Sequence, residues 1–150
     1  MLGFRGALMD WLFLYNSFEG RIGRQTFWIA VVVLTVIEFA AHFAAEQLQG
    51  DRLSAIVDLA FVYPEFAVAL KRAHDRDMPI LFLVVFFAAS AVLDLLTVLQ
   101  MTGSDDQPTM ISVLIAVPFT ILALFLLVEL GFRRGTPGPN QYGPDPLAKI

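Results

Sequence analysis

Thr109–Val128 reads TMISVLIAVPFTILALFLLV, twenty consecutive residues without a charge and with one internal proline, Pro118. A helix rises about 1.5 Å per residue, so a stretch of this length crosses the roughly 30 Å of hydrocarbon in a bilayer. Three more stretches lie N-terminal to it. Pro79–Leu99 is nearly as apolar and carries Asp94 near its end, Phe27–Ala45 contains Glu38 and His42, and Leu53–Leu70 contains Asp58, Pro64 and Glu65. An acid at a helix centre costs up to about 2.5–3.5 kcal/mol, and less near an end. Leu53–Leu70 still reads as a span, because the loop charges make sense only with four crossings. The connections Glu46–Arg52, Lys71–Met78 and Gln100–Pro108 are short, which forces successive helices to be antiparallel neighbours. Alternation of period two is absent, which argues against a transmembrane barrel.

The fold class expected is therefore all-α, an integral membrane four-helix bundle forming a single membrane domain. Its spans are placed at about 27–45, 53–70, 79–99 and 109–130, after an interfacial segment 1–26 and before an irregular tail 131–150. Composition agrees: 57% of the 150 residues are hydrophobic, 16% are charged, and the mean hydropathy is +0.69. A soluble domain carries about 25% charged residues. The absence of cysteine excludes disulfides, iron–sulfur centres and thiolate zinc sites, and two histidines leave little for a His-based metal site.

In residues 1–18, apolar side chains recur at Phe4, Leu8, Trp11, Leu12 and Tyr15 with helical spacing, interrupted by Arg5, Asp10 and Asn16. That pattern is too polar to span and suits an amphipathic helix lying in the headgroup layer, with Trp11 and Tyr15 at the interface. A signal peptide is the rival reading, but no small-residue cleavage site follows before Glu19-Gly20-Arg21.

Nine of the ten basic residues fall on one side of a four-span chain: Arg5, Arg21, Arg24, Lys71, Arg72, Arg76, Arg133, Arg134 and Lys149. Arg52 stands alone on the other. By the positive-inside rule both termini are expected to be cytoplasmic, or on the equivalent side of an organelle membrane. The formal charge of −4 then resolves into a cytoplasmic face of +4, an outer face of −3, and five acids within or at the ends of the spans: Glu38, Asp58, Glu65, Asp94 and Glu129.

Three segments of the basic face stand out. They are Phe18-Glu19-Gly20-Arg21-Ile22-Gly23-Arg24-Gln25-Thr26-Phe27-Trp28, Lys71-Arg72-Ala73-His74-Asp75, and Gly135-Thr136-Pro137-Gly138-Pro139-Asn140-Gln141-Tyr142-Gly143-Pro144-Asp145-Pro146. In this order, on this hydropathy profile, they resemble the YhaH-type small inner-membrane proteins, the family called domain of unknown function 805. The resemblance covers almost the whole chain. Ala73 stands where the family usually has leucine, and Arg76-Asp77-Met78-Pro79 replaces its usual small-residue and tryptophan stretch. The resemblance implies a bacterial inner-membrane protein with four spans, and it implies no activity.

Read without the family, Lys71 and Arg72 suit the C-terminal end of a helix, where the dipole favours cations. Asp75 and Asp77 would cap the next helix, with Pro79 in its first turn. Beyond this capped hairpin, a sharper expectation is one polar cluster of Arg21, Arg24, Arg72, His74 and Asp75, with Arg24 or Arg21 paired to Asp75. Such a cluster could hold an anionic lipid phosphate. Four prolines and three glycines between Gly135 and Pro146 exclude helix and strand there. Asn140, Tyr142 and Asp145 offer hydrogen bonds between rigid turns, so an ordered lariat is expected on the helix ends.

Ionisable residues inside a membrane raise a functional question by default. Glu38 lies about 17 Å from Phe27, His42 is one turn further on the same face, and Asp58 and Asp94 each lie about 8 Å from the outer ends of their helices. If the faces of Glu38, His42, Asp58 and Asp94 converge, they form a water-accessible polar pocket. The alternative is a Glu38–His42 bond that serves packing alone. Glu65 and Glu129 are expected to pair with Lys71, Arg72, Arg133 and Arg134. No phosphate-binding glycine loop, G-x-S-x-G or H-E-x-x-H is present, so no enzyme activity, cofactor or metal is expected. Nucleic-acid binding is not expected either, since the basic groups sit at a membrane surface. The sequence thus points to a structural or accessory protein that binds another membrane protein, a second copy of itself or an anionic lipid through its cytoplasmic face. Small residues such as Ala40, Ala44, Ala88 and Ala91 would permit close helix packing. The competing reading is an oligomeric transporter or proton-coupled conduit using the intramembrane acids.

Overall fold

The computed structural model describes residues 10–48, 51–99, 101, 103–104, 107–108 and 110–148. Phe4, Arg5, Leu8 and Lys149 lie outside the described residues. Five helices follow one another: α1 (Trp11–Asn16), α2 (Arg24–Leu48), α3 (Asp51–Arg76), α4 (Leu81–Val98) and α5 (Met110–Leu126). The last runs on into a π-helical turn, Leu127–Phe132. Four of these segments are long and apolar enough to cross a membrane, which makes the chain an integral membrane four-helix bundle. Between α4 and α5, two two-residue strands, β1 (Gly103–Ser104) and β2 (Gln107–Pro108), pair antiparallel, a local detail that the helical reading does not anticipate.

The helices α2 and α3 outrun the apolar stretches that announce them, whereas α4 starts two residues inside its own. The segment α3 continues through Lys71–Arg76, so the expected second connection is mostly helix. It ends in a Schellman motif: Met78 N–H donates to the Ala73 carbonyl at 3.0 Å and Asp77 N–H to the His74 carbonyl at 3.2 Å. Asp77 occupies the left-handed position at φ 52°, where glycine is usual. Neither Asp75 nor Asp77 caps α4, whose N-cap is Ile80 with no side-chain bond. Asp75 is still inside α3, and its carboxylate is engaged elsewhere.

The first helix, α1, is capped by Asp10, whose side chain accepts from the Phe13 N–H at 3.0 Å. It does not lie free of the bundle. Leu14 is buried, the Tyr15 hydroxyl donates to the Ala30 carbonyl at 3.2 Å, and Tyr63 Oη donates to the Asn16 carbonyl. Trp11 and Leu12, two of the apolar positions that the spacing picks out, remain exposed, and the buried contact is made by Leu14, which the spacing does not pick out.

Packing centres on α3, which lies against α1, α2 and α4 and meets the π-helical turn. The buried cluster (Leu14, Ile22, Phe27, Ala30, Leu34, Val68, Ala69, Leu70, Ala73, Leu83, Leu126 and Leu130) lies toward the basic end. Elsewhere the helices present apolar side chains outward, as a lipid-facing surface requires.

Candidate functional site: a clasp at the basic end

The clasp begins with the free carbonyls at the end of the fourth span. A helix leaves its last four carbonyls without intrahelical partners. Here five successive carbonyls receive side-chain donors from α2 and α3. Leu130 accepts from Arg72 Nε at 2.7 Å, Gly131 from Trp28 Nε1 at 3.0 Å, and Phe132 from Arg24 Nη1 at 3.1 Å. Arg133 accepts from Arg72 Nη2 and Arg134 from Arg76 Nη1. Three arginines thus cover the negative end of a helix dipole, an arrangement that stabilises both. The π-helical turn offers these carbonyls to the neighbouring helices, and Gly131 gives Trp28 room. A Cβ there would stand 2.7 Å from Trp28 Cζ2.

Asp75 lies at the centre of the clasp. Its Oδ1 accepts from Arg21 Nε at 3.2 Å and Nη2 at 3.0 Å, and its Oδ2 accepts from Arg72 Nη1. All three side chains are buried, at 4% exposure or less. Arg21 also draws in the tail, donating to the carbonyls of Thr136 at 2.8 Å, Gly138 at 2.8 Å and Gly143 at 3.3 Å. Thr136 N–H donates to the Asp75 carbonyl at 2.8 Å. Gly135 runs so close to the Asp75 carboxylate that a Cβ would overlap it.

The tail is an ordered loop. Asn140 and Gly143 exchange backbone hydrogen bonds at 3.1 Å, and Asn140 Nδ2 donates to the His74 carbonyl at 2.9 Å. Tyr142 stacks on His74, with ring centroids 3.7 Å apart and planes 6° from parallel. The His74 Nδ1 faces the Gly20 carbonyl at 3.1 Å. Asp145 accepts from the N–H groups of Leu147 at 2.9 Å and Gly138 at 3.0 Å. These two bonds hold its carboxyl below the usual carboxylate range.

The expected cluster therefore forms from Arg21, Arg72, His74, Asp75, Asn140 and Tyr142, with Asp145 fixing the loop behind it. Between the two arginines considered for Asp75, it is Arg21 that pairs. Arg24 points the other way and stays exposed. Sequence reasoning missed Trp28, Thr136, Gly135, Gly131 and Arg76. The first three sat within quoted motifs, yet nothing local marks a glycine as the neighbour of a carboxylate sixty residues away. Lys71, read as a surface cation, is buried beneath α1, donating to the Ser17 carbonyl with its ammonium 5.3 Å from the Phe13 ring centroid.

A second polar group lies further along the spans. His42 Nε2 stands 3.6 Å from Asp58 Oδ1, and His42 Nδ1 stands 3.6 Å from Glu46 Oε1. Glu38, Asp58, His42, Glu46 and Thr35 line a cavity of about 380 Å³, and Asp94 lies within the charge neighbourhood of Asp58 and Glu38. Glu65 departs from expectation, since its carboxyl neighbours the acids Glu38 and Asp58, and among the described residues it forms no ion pair with a base. Glu65 is two turns from Asp58 and shares its face, while Lys71 is held beneath α1 and Arg72 by the clasp. Glu129 does pair with bases, at 2.9 Å to both Arg76 and Arg133. Among the described residues, no three His, Asp or Glu side chains are placed to hold a metal ion.

Comparison with known proteins brings the clasp into a wider frame. The family model described as "Protein of unknown function (DUF805)" matches residues 15–144, which include the first two motifs and the third as far as Pro144. The chain is 32% identical over 149 residues to the "Uncharacterized protein YiiR" of Escherichia coli (strain K12), covering 93% of this chain and 90% of that protein. It is 24% identical over 148 residues to the "Inner membrane protein YhaH" of the same strain, covering 92% and 97% respectively. No solved structure matches.

Proposed function

We propose that this chain, which belongs to the DUF805 family of proteins of unknown function, is a non-catalytic accessory protein of a bacterial inner membrane that binds a partner membrane protein through its basic face. The relative named as an inner-membrane protein, together with the four apolar helices, supports the location. The nine-to-one split of basic residues supports a cytoplasmic placement of both termini.

One observation carries the reading. Buried charge is spent on holding a proline- and glycine-rich tail in one shape, through Arg21, Asp75 and Arg72. Burying a carboxylate between guanidinium groups is weak as a source of stability, and its best-attested use is to fix one arrangement. The result is a rigid surface bearing Gln141, Pro139, Pro144 and Arg134, all exposed. A preformed surface of this kind lowers the ordering cost of binding.

The test is site-specific photo-crosslinking from Gln141 in native membranes. One discrete protein adduct is expected, and it should vanish when Asp75→Asn releases the tail from an otherwise membrane-inserted protein. Absence of any adduct from Gln141 or Arg134 would refute the reading.

A second reading, a proton-coupled conduit, is favoured by the convergence of Glu38, Glu65, Asp58 and His42. Reconstituted vesicles under a pH gradient decide it. Flux abolished by Glu38→Gln would support the conduit, and vesicles as tight with the protein as without it would remove it.

A further inference from the structure

The arginines of the basic face are not equivalent. Among the described residues, Arg21 and Arg72 have their guanidinium groups filled by Asp75 and by main-chain carbonyls, Arg76 and Arg133 are paired to Glu129, and Arg134 is near Asp145. Arg24 donates a single bond from Nη1 and leaves Nε and Nη2 without a partner among the described residues.

Arg24 forms one wall of a groove of about 500 Å³ between the start of α2 and the π-helical turn. Gln25, Trp28, Gly131, Phe132 and Leu147 form the rest, and among the described residues no carboxylate lines it. Its volume is in the range of small-molecule sites. The groove has two chemistries. Arg24 and Gln25 give it a cationic and amide end, whereas Trp28, Phe132 and Leu147 give it an apolar one. It lies where α2 enters the apolar zone and where the last span leaves it. At this level aromatic side chains collect and basic pockets between helices take lipid phosphates.

We propose that this groove is a seat for an anionic phospholipid, with the phosphate on Arg24 and an acyl chain along Trp28 and Phe132. A free phosphate ion would use the polar end and leave the apolar wall unexplained. A lipid uses both. The guanidinium fork is suited to the phosphate oxygens, and Trp28 is already fixed in place by its bond to the Gly131 carbonyl. The inference rests on the basic face being the working surface, but it concerns a different part of that face from the tail.

The chain has two tryptophans, so Trp11→Phe leaves Trp28 as the sole tryptophan, excited selectively over the tyrosines. The full-length variant is reconstituted in phosphatidylcholine vesicles containing an equal fraction of brominated phosphatidylglycerol or brominated phosphatidylcholine. Quenching should show phosphatidylglycerol enriched about fivefold at Trp28, the factor corresponding to about 1 kcal/mol for one arginine near the membrane surface. Arg24→Gln, and separately Leu147→Asp on the exposed tail wall, should return the quenching to the phosphatidylcholine level. Equal quenching by the two lipids, an unchanged preference in both variants, or displacement by inorganic phosphate but not by chloride of equal ionic strength would each overturn the proposal. A lost crosslink at Gln141 with retained lipid preference fails the partner reading alone, and the reverse result fails the lipid seat alone.

Discussion

Replacing Asp75 by asparagine keeps the size of the side chain and removes one charge. In the native clasp that charge serves two guanidinium groups, those of Arg21 and Arg72, whose side chains are 1% and 0% exposed. The variant leaves both cations buried with only neutral partners, main-chain carbonyls and the Thr136 hydroxyl. Removing one partner of a buried ion pair costs about 3–5 kcal/mol. At about 2–4 °C per kcal/mol for a chain of this size, the melting temperature should fall by about 6–20 °C. Thermal unfolding of purified protein in mild detergent, followed by tryptophan fluorescence and by loss of the monodisperse peak, reads that shift. Protease cleavage within residues 136–146 should appear in the same sample, because Arg21 holds the tail through Asp75. A double-mutant cycle with Arg21→Gln separates the pair from its surroundings, and a coupling of about 1–3 kcal/mol is expected. If Asp75→Asn melts within about 2 °C of the native protein, or if the two substitutions simply add, the clasp is not an energetic unit and the reasoning fails.

Gly135→Ala should destabilise by about 1–3 kcal/mol through overlap with the Asp75 carboxylate, and Gly135→Ala combined with Asp75→Ala should cost less than the sum of the two, as read from the same melting curves. Asp77→Gly relieves a left-handed non-glycine residue at the end of α3 and should raise stability by about 1 kcal/mol; a lowered melting temperature would contradict the Schellman assignment. Asp145 has a depressed folded-state pKa, so its support of the tail is present above its unfolded pKa near 3.9 and is lost as pH falls through the folded value. A fluorophore at position 141 should therefore gain mobility on acidification below about pH 4, and Asp145→Asn should flatten that response.

Hydropathy made the spans legible because a lipid-facing helix must be apolar over most of its surface, and that requirement acts on every residue from Met110 to Leu126. The ends were harder to read. Lys71–Arg76 looks like a loop by composition, yet it is helix, since its charged side chains find partners in other segments and no longer need water. Motif reading brought Arg21, Arg72, His74, Asp75, Asn140 and Tyr142 into one expectation because all lie on one side of a four-span chain. It could not choose between Arg21 and Arg24, because composition does not show that Arg21 precedes α2 whereas Arg24 opens it. Glu65 was misjudged because Lys71 and Arg72 direct their donors to Ser17, Leu130 and Asp75, partners that hydropathy does not reveal.

The five carbonyls that receive Arg72, Trp28, Arg24 and Arg76 belong to residues 130–134, and those that receive Arg21 come later still. During synthesis, α2 and α3 are complete some sixty residues before these acceptors exist. The first two spans must therefore wait in the bilayer with their arginines hydrated at its surface. The central helix can settle only when the last segment leaves the ribosome. A chain released at residue 135 would hold all four apolar helices and the carbonyls of residues 130–134, yet its Arg21 would lack every acceptor in the tail and rest on Asp75 alone.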